Sequence, residues 1–234
     1  MEIPSLTTNQ MREVDRLMVE TYGIALIQVM ENAGHHLAQL ARRMVGGNAA
    51  GKVVIVLCGP GNNGGGGMAA ARHLHNWGAD VQVRLAAEPA RLREVPAHQW
   101  AILKALGLDH SGTTPRPADL VLDALLGYGV SGAPRPPVAN LIRWANEQPA
   151  PVLALDVPSG LDATSGTAYR PTVRATATLT LALPKTALRV TAARAFVGDL
   201  YLADIGVPAE LYAAPSLRLS VGSIFARKSS VRVE

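Results

Sequence analysis

Residues 53–67, VVIVLCGPGNNGGGG, join a short apolar run to a glycine-rich segment. The first six residues are apolar and mostly β-branched, which predicts a strand that is buried on both faces. Glycines directly after such a strand let backbone amides approach a ligand closely, and a helical pattern then runs from Met68 to Trp77. The stretch therefore predicts a parallel strand, a ligand-binding loop and a helix.

Apolar runs alternate with helical patterns on both sides of this stretch. Two helical patterns precede it, and the first is capped by Thr7 or Thr8. The further predicted strands cover residues 81–85, 120–124, 152–157, 175–183 and 200–203, and the further predicted helices cover 97–106 and 138–145. This alternation predicts an α/β fold, a doubly wound and mostly parallel sheet with helices on both faces, as in a Rossmann-like three-layer sandwich.

The whole chain, residues 1–234, is predicted to form a single domain, because no linker or composition shift divides it. From about residue 226 the sequence turns basic and polar, which predicts a flexible tail.

Composition excludes several classes of protein. Hydrophobic residues make up 48% of the chain and charged residues 17%, which is too apolar for a disordered protein. The single cysteine, Cys58, excludes an intramolecular disulfide scaffold and favours a reducing compartment. The start resembles no signal peptide, and no apolar run reaches the roughly 20 residues of a membrane span. We therefore expect a cytoplasmic protein with no membrane partner.

The net charge of +4, from 22 basic and 18 acidic residues, is spread along the chain. Aromatic residues are only 4% of the total, although single-strand binders usually stack bases on aromatic side chains. Nucleic-acid binding is therefore disfavoured.

Polar side chains collect where predicted strands end, which is where ligands bind in open α/β sheets. Asp123 and Asp156 each stand at the end of an apolar run, and Ser159 follows closely. A carboxylate in that setting needs a partner or a bound cation, unless it caps its own loop. Lys185 follows a later strand, where it either contacts phosphate, assists proton transfer or is an ordinary surface lysine.

Motif spacing leaves one alternative chemistry open and disfavours others. Gly59, Gly61 and Gly64 form a GxGxxG, and Glu88 stands at the place of a ribose-binding acid, so an NAD dehydrogenase is an alternative. No Gly-Lys-Ser/Thr follows the glycines, which excludes a P-loop. Ser159 lacks a GxSxG elbow, and no histidine follows these strands, which disfavours a catalytic triad. Clustered cysteines and histidines are also lacking, so the oxygen donors suit a hard cation better than zinc.

The ordered motifs resemble the YjeF N-terminal domain family, whose best-known members are NAD(P)H-hydrate epimerases. The matching segments are 11–15, 30–34, 61–65, 123–127, 156–162 and the threonine-rich strand that leads into 184–185. The resemblance implies the same doubly wound sheet, a homodimer, and interconversion of the R and S hydrates NADHX and NADPHX. It also implies a separate ATP- or ADP-dependent dehydratase as pathway partner, and we expect a stand-alone epimerase because the chain stops before any such domain.

The resemblance also implies residue roles. Asn63, Asp123 and Ser159 match the family's K⁺ ligands. Asp156 matches the carboxylate that contacts the substrate and acts as acid or base, and Lys185 is its assisting partner. Two segments match those that hold the dinucleotide, namely Asn62, Asn63, Gly64, Gly65 and Gly66, and Gly127, Tyr128, Gly129, Val130, Ser131, Gly132 and Ala133.

One position departs from the family pattern. The family loop usually reads Gly-Asn-Asn-Gly-Gly-Asp-Gly, and here Gly66 stands at the position of the aspartate. That carboxylate is a candidate partner for a ribose hydroxyl or for the loop itself. A non-catalytic descendant that binds a dinucleotide or RNA is therefore the alternative to the epimerase.

Overall fold

Within residues 3–109, 117–129 and 131–233, which the computed structural model describes, seven strands form one sheet. The order across the sheet is β2-β1-β3-β4-β5-β6-β7, and every neighbouring pair is parallel except β6 and β7. The strands are β1 (Val53–Cys58), β2 (Asp80–Leu85), β3 (Leu120–Ala124), β4 (Val152–Leu155), β5 (Ala177–Leu181), β6 (Asp199–Ala203) and β7 (Ser230–Arg232). The predicted α/β fold is confirmed.

Helices cover both faces of the sheet. They are α1 (Thr8–Glu20), α2 (Leu26–Met44), α3 (Asn62–Asn76), α4 (Glu94–Ala105), α5 (Val138–Glu147) and the short α6 (Arg194–Val197) and α7 (Ala209–Tyr212). Thr7 caps α1 in a capping box, because its hydroxyl accepts from the Gln10 amide while the Gln10 side chain accepts from the Thr7 amide. Among the residues that the structure describes, no helix has both the length and the apolar character that crossing a bilayer requires.

Successive side chains of a strand are buried in different hydrophobic clusters, one on each face of the sheet. Val54 and Val56 of β1 pack in the cluster that contains the buried faces of α2, α3 and α4. Ile55 and Leu57 point to the opposite face and pack with Ile142 of α5. Because both faces of β1 are buried, its continuous apolar run is explained.

The strand order reverses direction between β1 and β3. From β1 the chain goes to β2 on one side and returns to β3 on the other side. At such a switch point the segments that follow the two strands diverge and leave a crevice. Here the crevice is bordered by the start of α3 and by the loop after β3.

The glycine-rich segment is helical, which corrects the predicted loop. The prediction started the helix at Met68, whereas α3 begins at Asn62. Glycine is a poor helix former, but close packing requires it here. A Cβ on Gly67 would lie 2.5 Å from the Cβ of Ala124 in β3, and a Cβ on Gly34 of α2 would lie 2.5 Å from the Cβ of Ala69. The absent side chains let α3 lie directly on the sheet and on α2.

Two predicted strands are longer than the observed ones. The fourth ends at Leu155 because Asp156 adopts a left-handed backbone with φ of 69°. The fifth covers only Ala177–Leu181.

The sequence analysis did not predict β7, which lies in the segment expected to be a flexible tail. This strand pairs antiparallel with β6, and the Val233 amide donates to the Leu200 carbonyl at 2.8 Å. Val233 packs in the same cluster as Leu200 and Leu202. A three-residue strand that contains a serine and an arginine carries too little apolar pattern to be predicted.

Candidate active site

A cavity of about 520 Å³ occupies the crevice at the switch point. Its wall is built by α1, α2, the start of α3, the loop after β3, and the residues that follow β4 and β5. Eight of the residues predicted for the site line it, namely Asn62, Asn63, Gly66, Gly127, Tyr128, Gly129, Asp156 and Lys185. The structure therefore brings residues from four separate segments to one wall.

A buried ion pair joins Asp156 to Lys185. The Lys185 side chain is fully buried, and its Nζ donates to Asp156 Oδ1 and, at 2.8 Å, to the Leu181 carbonyl. The second carboxylate oxygen, Asp156 Oδ2, accepts from the Tyr128 amide at 2.9 Å. A buried charge is tolerated only when it is paired and hydrogen-bonded. These contacts hold an anionic carboxylate at the wall of the cavity, where it can exchange a proton with a ligand.

The backbone of Asp156 is adapted to this position. Its φ of 69° is rare for residues with a side chain, but aspartate and asparagine tolerate it better than others. The Asp156 amide donates to the Leu179 carbonyl at 2.8 Å, which fixes the turn that follows β4. The turn re-aims the carboxylate away from the strand direction and towards the loop after β3.

Asp123 and Ser159 lie together in the protein interior, and neither is among the residues of the cavity wall. The Ser159 hydroxyl donates to Asp123 Oδ1 at 2.6 Å and the Ser159 amide donates to Oδ2 at 2.8 Å. The Leu125 amide also donates to Oδ1. Burial raises the pKa of Asp123 to about 6, and these hydrogen bonds oppose the rise. Within the described ranges no cationic side chain pairs with this carboxylate.

Asn63 approaches the same loop from the start of α3. Its amide nitrogen donates to the Leu155 carbonyl at 3.3 Å. A Cβ on Gly127 would lie 3.4 Å from Asn63 Oδ1 and 3.1 Å from Asp156 Oδ2, so glycine keeps room between the loop and both side chains. An amide oxygen, a buried carboxylate and a hydroxyl form an all-oxygen donor set beside one short loop. That chemistry fits a hard cation.

Some predicted binding residues do not line the cavity. Gly64 and Gly65 are buried inside the helix packing, where their Cβ positions would meet the Gly59 carbonyl at 1.9 Å and the Met30 sulfur at 2.5 Å. Ser131, Gly132 and Ala133 are exposed and are not among the residues of the cavity wall. Val130 lies outside the described residues.

Three charged residues of the cavity wall were not predicted, namely Arg12, Asp15 and Arg93. Asp15 has a signal in the sequence, because it follows Met11 by four positions and so falls on the apolar stripe of α1. An acid on an apolar stripe is a reason to expect a site. Arg93 carries no such signal, since it is exposed and its backbone amide donates to the Pro60 carbonyl at 3.1 Å.

The geometry does not support the dehydrogenase alternative. Glu88 is exposed, precedes a short 3-10 turn and lies off the cavity wall. Among the described residues, no histidine lines the cavity.

Comparison with known families decides the assignment. The family described as "YjeF-related protein N-terminus" matches residues 26–187, which include α2, α3 and the Asp156–Lys185 pair. The chain belongs to the YjeF N-terminal family. The match also includes the three oxygen donors beside the cavity, so the family segment supplies most of the site.

Relatives of this YjeF N-terminal chain are of two lengths. A protein named NAD(P)H-hydrate epimerase from Dehalogenimonas lykanthroporepellens is 43% identical, with 92% of this chain and 87% of the relative covered. Another protein of that name, from Rhodopirellula baltica, is 36% identical, with 90% and 88% covered. A bifunctional NAD(P)H-hydrate repair enzyme from Salinibacter ruber is 37% identical, and this chain spans only 41% of it.

A solved structure has the same fold as this chain. A yeast protein of known crystal structure superposes with a TM-score of 0.82, and the match covers 99% of this chain and all of the yeast chain. At 23% sequence identity, this likeness supports the fold alone.

Proposed function

We propose that this chain is an NAD(P)H-hydrate epimerase, an isomerase that interconverts the R and S forms of NADHX and NADPHX. The observation that carries the proposal is the buried Asp156–Lys185 pair on the wall of the cavity. It gives the family fold a charged group that can act on a substrate. The names of the full-length relatives support the same reaction.

The chemistry required is the departure and return of a hydroxyl at C6 of the nicotinamide ring. Departure leaves a planar, cationic ring, and water then adds to either face. The Asp156 carboxylate, oriented by Lys185 and by the Tyr128 amide, is placed to exchange a proton with the C6 oxygen. Its negative charge also stabilises the positive charge that develops on the ring. The apolar residues of the cavity wall limit the water that reaches the intermediate.

The dinucleotide would lie along the start of α3. Gly61 precedes this helix without a side-chain cap, so the first amides of α3 are available to a phosphate group. Arg12 and Arg93 on the cavity wall add positive charge. We therefore expect the nicotinamide near Asp156 and the pyrophosphate towards Asn62.

K⁺ is the proposed cofactor. Asn63, Asp123 and Ser159 would hold it, because they present an all-oxygen donor set and Asp123 is a buried carboxylate without a cationic partner in the described ranges. When bound, the ion would supply a positive charge that offsets the buried carboxylate.

The proposed assembly is a homodimer in the cytoplasm, and a separate ATP- or ADP-dependent dehydratase would consume the S hydrate. The bifunctional relatives carry the two parts of this repair in one chain. Light scattering on the protein as it elutes from a size-exclusion column tests the dimer, for which twice the chain mass of 24.6 kDa is expected.

The decisive experiment follows the two hydrates by chromatography. The full chain is added to purified R-NADHX or S-NADHX in buffer that contains K⁺, and the R/S ratio should reach equilibrium faster than in buffer alone. Asp156→Asn should remove the acceleration. Asp199→Asn, which neutralises an exposed carboxylate of β6, is the matched control and should keep it.

A ratio that relaxes at the buffer rate, with correctly folded protein and saturating K⁺, would sink the epimerase proposal. Calorimetric titration with NADP and with a short RNA would then identify the non-catalytic alternative.

A further inference from the structure

A second acidic side chain faces the same cavity but has no part in the chemistry described above. Asp15 of α1 lines the wall, and its Oδ2 accepts a hydrogen bond from the Tyr128 hydroxyl at 2.5 Å. Tyr128 lines the wall as well. The two residues are 113 positions apart in the chain, so the contact is a product of the fold.

Tyr128 stands between the two carboxylates. Its backbone amide donates to Asp156 Oδ2, and its phenolic hydroxyl, at the other end of the residue, donates to Asp15. The Lys185 ammonium lies 6.0 Å from the centre of the Tyr128 ring. One residue therefore connects the Asp156–Lys185 pair to a second acid, and the two carboxylates lie at opposite ends of it.

The charges of Asp156 and Lys185 influence the pKa of Asp15. Burial raises the pKa of Asp15, the charge of Asp156 adds to the rise, and the Tyr128 hydrogen bond and Lys185 oppose it. Burial and the charge of Asp15 also raise the pKa of the Tyr128 phenol, so the hydroxyl keeps its proton. The charge of Asp15 also raises the pKa of Tyr212 in α7, and the charge of Arg12 lowers the pKa of Tyr128.

We infer that Asp15 and Tyr128 form a second proton-transfer pair of the epimerase, which acts on the C6 oxygen at the ring face opposite the one served by Asp156. This inference rests on the proposed function. Epimerisation removes a hydroxyl from one face and adds a hydroxyl to the other, so a group on each side of the ring is the arrangement that the reaction needs.

The proton balance is complete without any further reactant. In the acid form, the Asp15 carboxyl donates its proton to the Tyr128 phenolic oxygen while the phenolic proton passes to the C6 hydroxyl, the C–O bond breaks and water leaves. Asp15 is then the anion that accepts from the Tyr128 hydroxyl, as in the structure. A second water forms the new C–O bond at the other face, and its proton passes to the Asp156 carboxylate. The reverse direction exchanges the two roles, and proton exchange with solvent water restores the starting form before a second turnover in the same direction. Either direction needs one shared proton on the two carboxyl groups.

The test compares Asp15→Asn and Tyr128→Phe with the wild-type chain in the R/S exchange assay between pH 5 and pH 9. Asp15→Asn should lower kcat by about 100-fold, a typical effect of removing an acid–base group, with KM nearly unchanged. In the wild type, kcat should fall at high pH as the shared proton is lost, and this limb should disappear in Asp15→Asn. Tyr128→Phe should lower kcat by a comparable factor, because it removes the hydroxyl through which the proton passes.

Glu13→Gln is the matched control, because Glu13 lies on the same helix but binds Arg16 and Ser216 at the surface. It should keep the wild-type rate and pH profile. Thermal unfolding and NADP titration check that each variant is folded and binds. If Asp15→Asn does not fold, Tyr128→Phe, which removes only a hydroxyl, carries the test.

Wild-type kinetics in both variants would overturn the inference. A rate that is lower by one factor at every pH would also overturn it, because that is the result of a purely structural link between α1 and the loop. These outcomes leave the proposed function intact. A wild-type chain that does not exchange R and S would instead contradict the proposed function, and the proton-transfer pair with it.

Discussion

The left-handed backbone of Asp156 determines which substitution tests its chemistry. Asparagine tolerates a φ of 69° nearly as well as aspartate and its side-chain oxygen still accepts from the Tyr128 amide, whereas alanine adds backbone strain of about 1 kcal/mol. Asp156→Asn leaves the buried Lys185 ammonium without its anionic partner, so we expect it to be less stable than the wild type but folded, and to lose at least about 100-fold in kcat. Asp156→Ala should lose the same activity and be less stable than Asp156→Asn by the added backbone strain, as measured by urea unfolding. An active Asp156→Asn enzyme would contradict the acid–base role.

Lys185 is coupled to Asp156 in stability as well as in chemistry. Lys185→Met leaves the Asp156 carboxylate buried beside an apolar side chain, and breaking a buried ion pair costs about 3–5 kcal/mol. The double variant Asp156→Asn/Lys185→Met removes both charges, so it should recover part of that loss while remaining inactive. Urea unfolding of the four proteins gives the coupling energy. Additive losses would show that the two side chains do not interact.

At the scale of elements, the glycines of α3 differ in what they face. A Cβ on Gly64 would meet a backbone oxygen at 1.9 Å, whereas a Cβ on Gly66 would meet the end of the Leu155 side chain at 2.9 Å and the Ala33 Cβ at an ordinary contact distance of 3.8 Å. We therefore expect Gly64→Ala to destabilise the protein by about 3 kcal/mol. Gly66→Ala should stay within about 1 kcal/mol of wild type, since alanine is the better helix former. Equal losses in urea unfolding would contradict this reading of the packing.

The edge strand β7 protects β6 from solvent. Deletion of residues 227–234 would expose the backbone of β6 and remove the Val233 contacts, so we expect a lower melting temperature and concentration-dependent association. Arg232→Ala is the control. It removes only an exposed ion pair with Asp199, which is worth less than about 1 kcal/mol. A truncated chain that melts and elutes like wild type would show that β7 has no such role.

The elements also show which parts of the fold can be predicted from sequence. β1 and β3 are buried on both faces, so their apolar runs identify them directly. The start of α3 was missed because tertiary packing overrides the low helix propensity of glycine, and β7 was missed because its side chains carry almost no pattern.

The site could be predicted only in part. The sequence places polar residues at strand ends, and Asp156 and Lys185 do lie together on the cavity wall. The contact between Asp15 and Tyr128 depends on how α1 packs against the loop after β3, and a sequence pattern does not contain that information.

At the scale of the whole molecule, the ends of β1, β3 and β4 meet at the switch point, and each contributes one proposed K⁺ ligand. Asn63, Asp123 and Ser159 come from these three segments, so an ion bound among them would join parts of the chain that unfolding separates. A ligand that binds only the folded state stabilises it by about 2.7 kcal/mol at 100 times its Kd.

We therefore expect the melting temperature to rise by several degrees when choline chloride is replaced by KCl at equal ionic strength. Asp123→Asn should abolish the rise because it removes the negative charge that the ion would offset, while Asp199→Asn, which changes the net charge equally at an exposed site, should keep it. Equal melting temperatures of the wild type in the two salts would contradict K⁺ binding at this site. A rise that persists in Asp123→Asn would place the ion elsewhere.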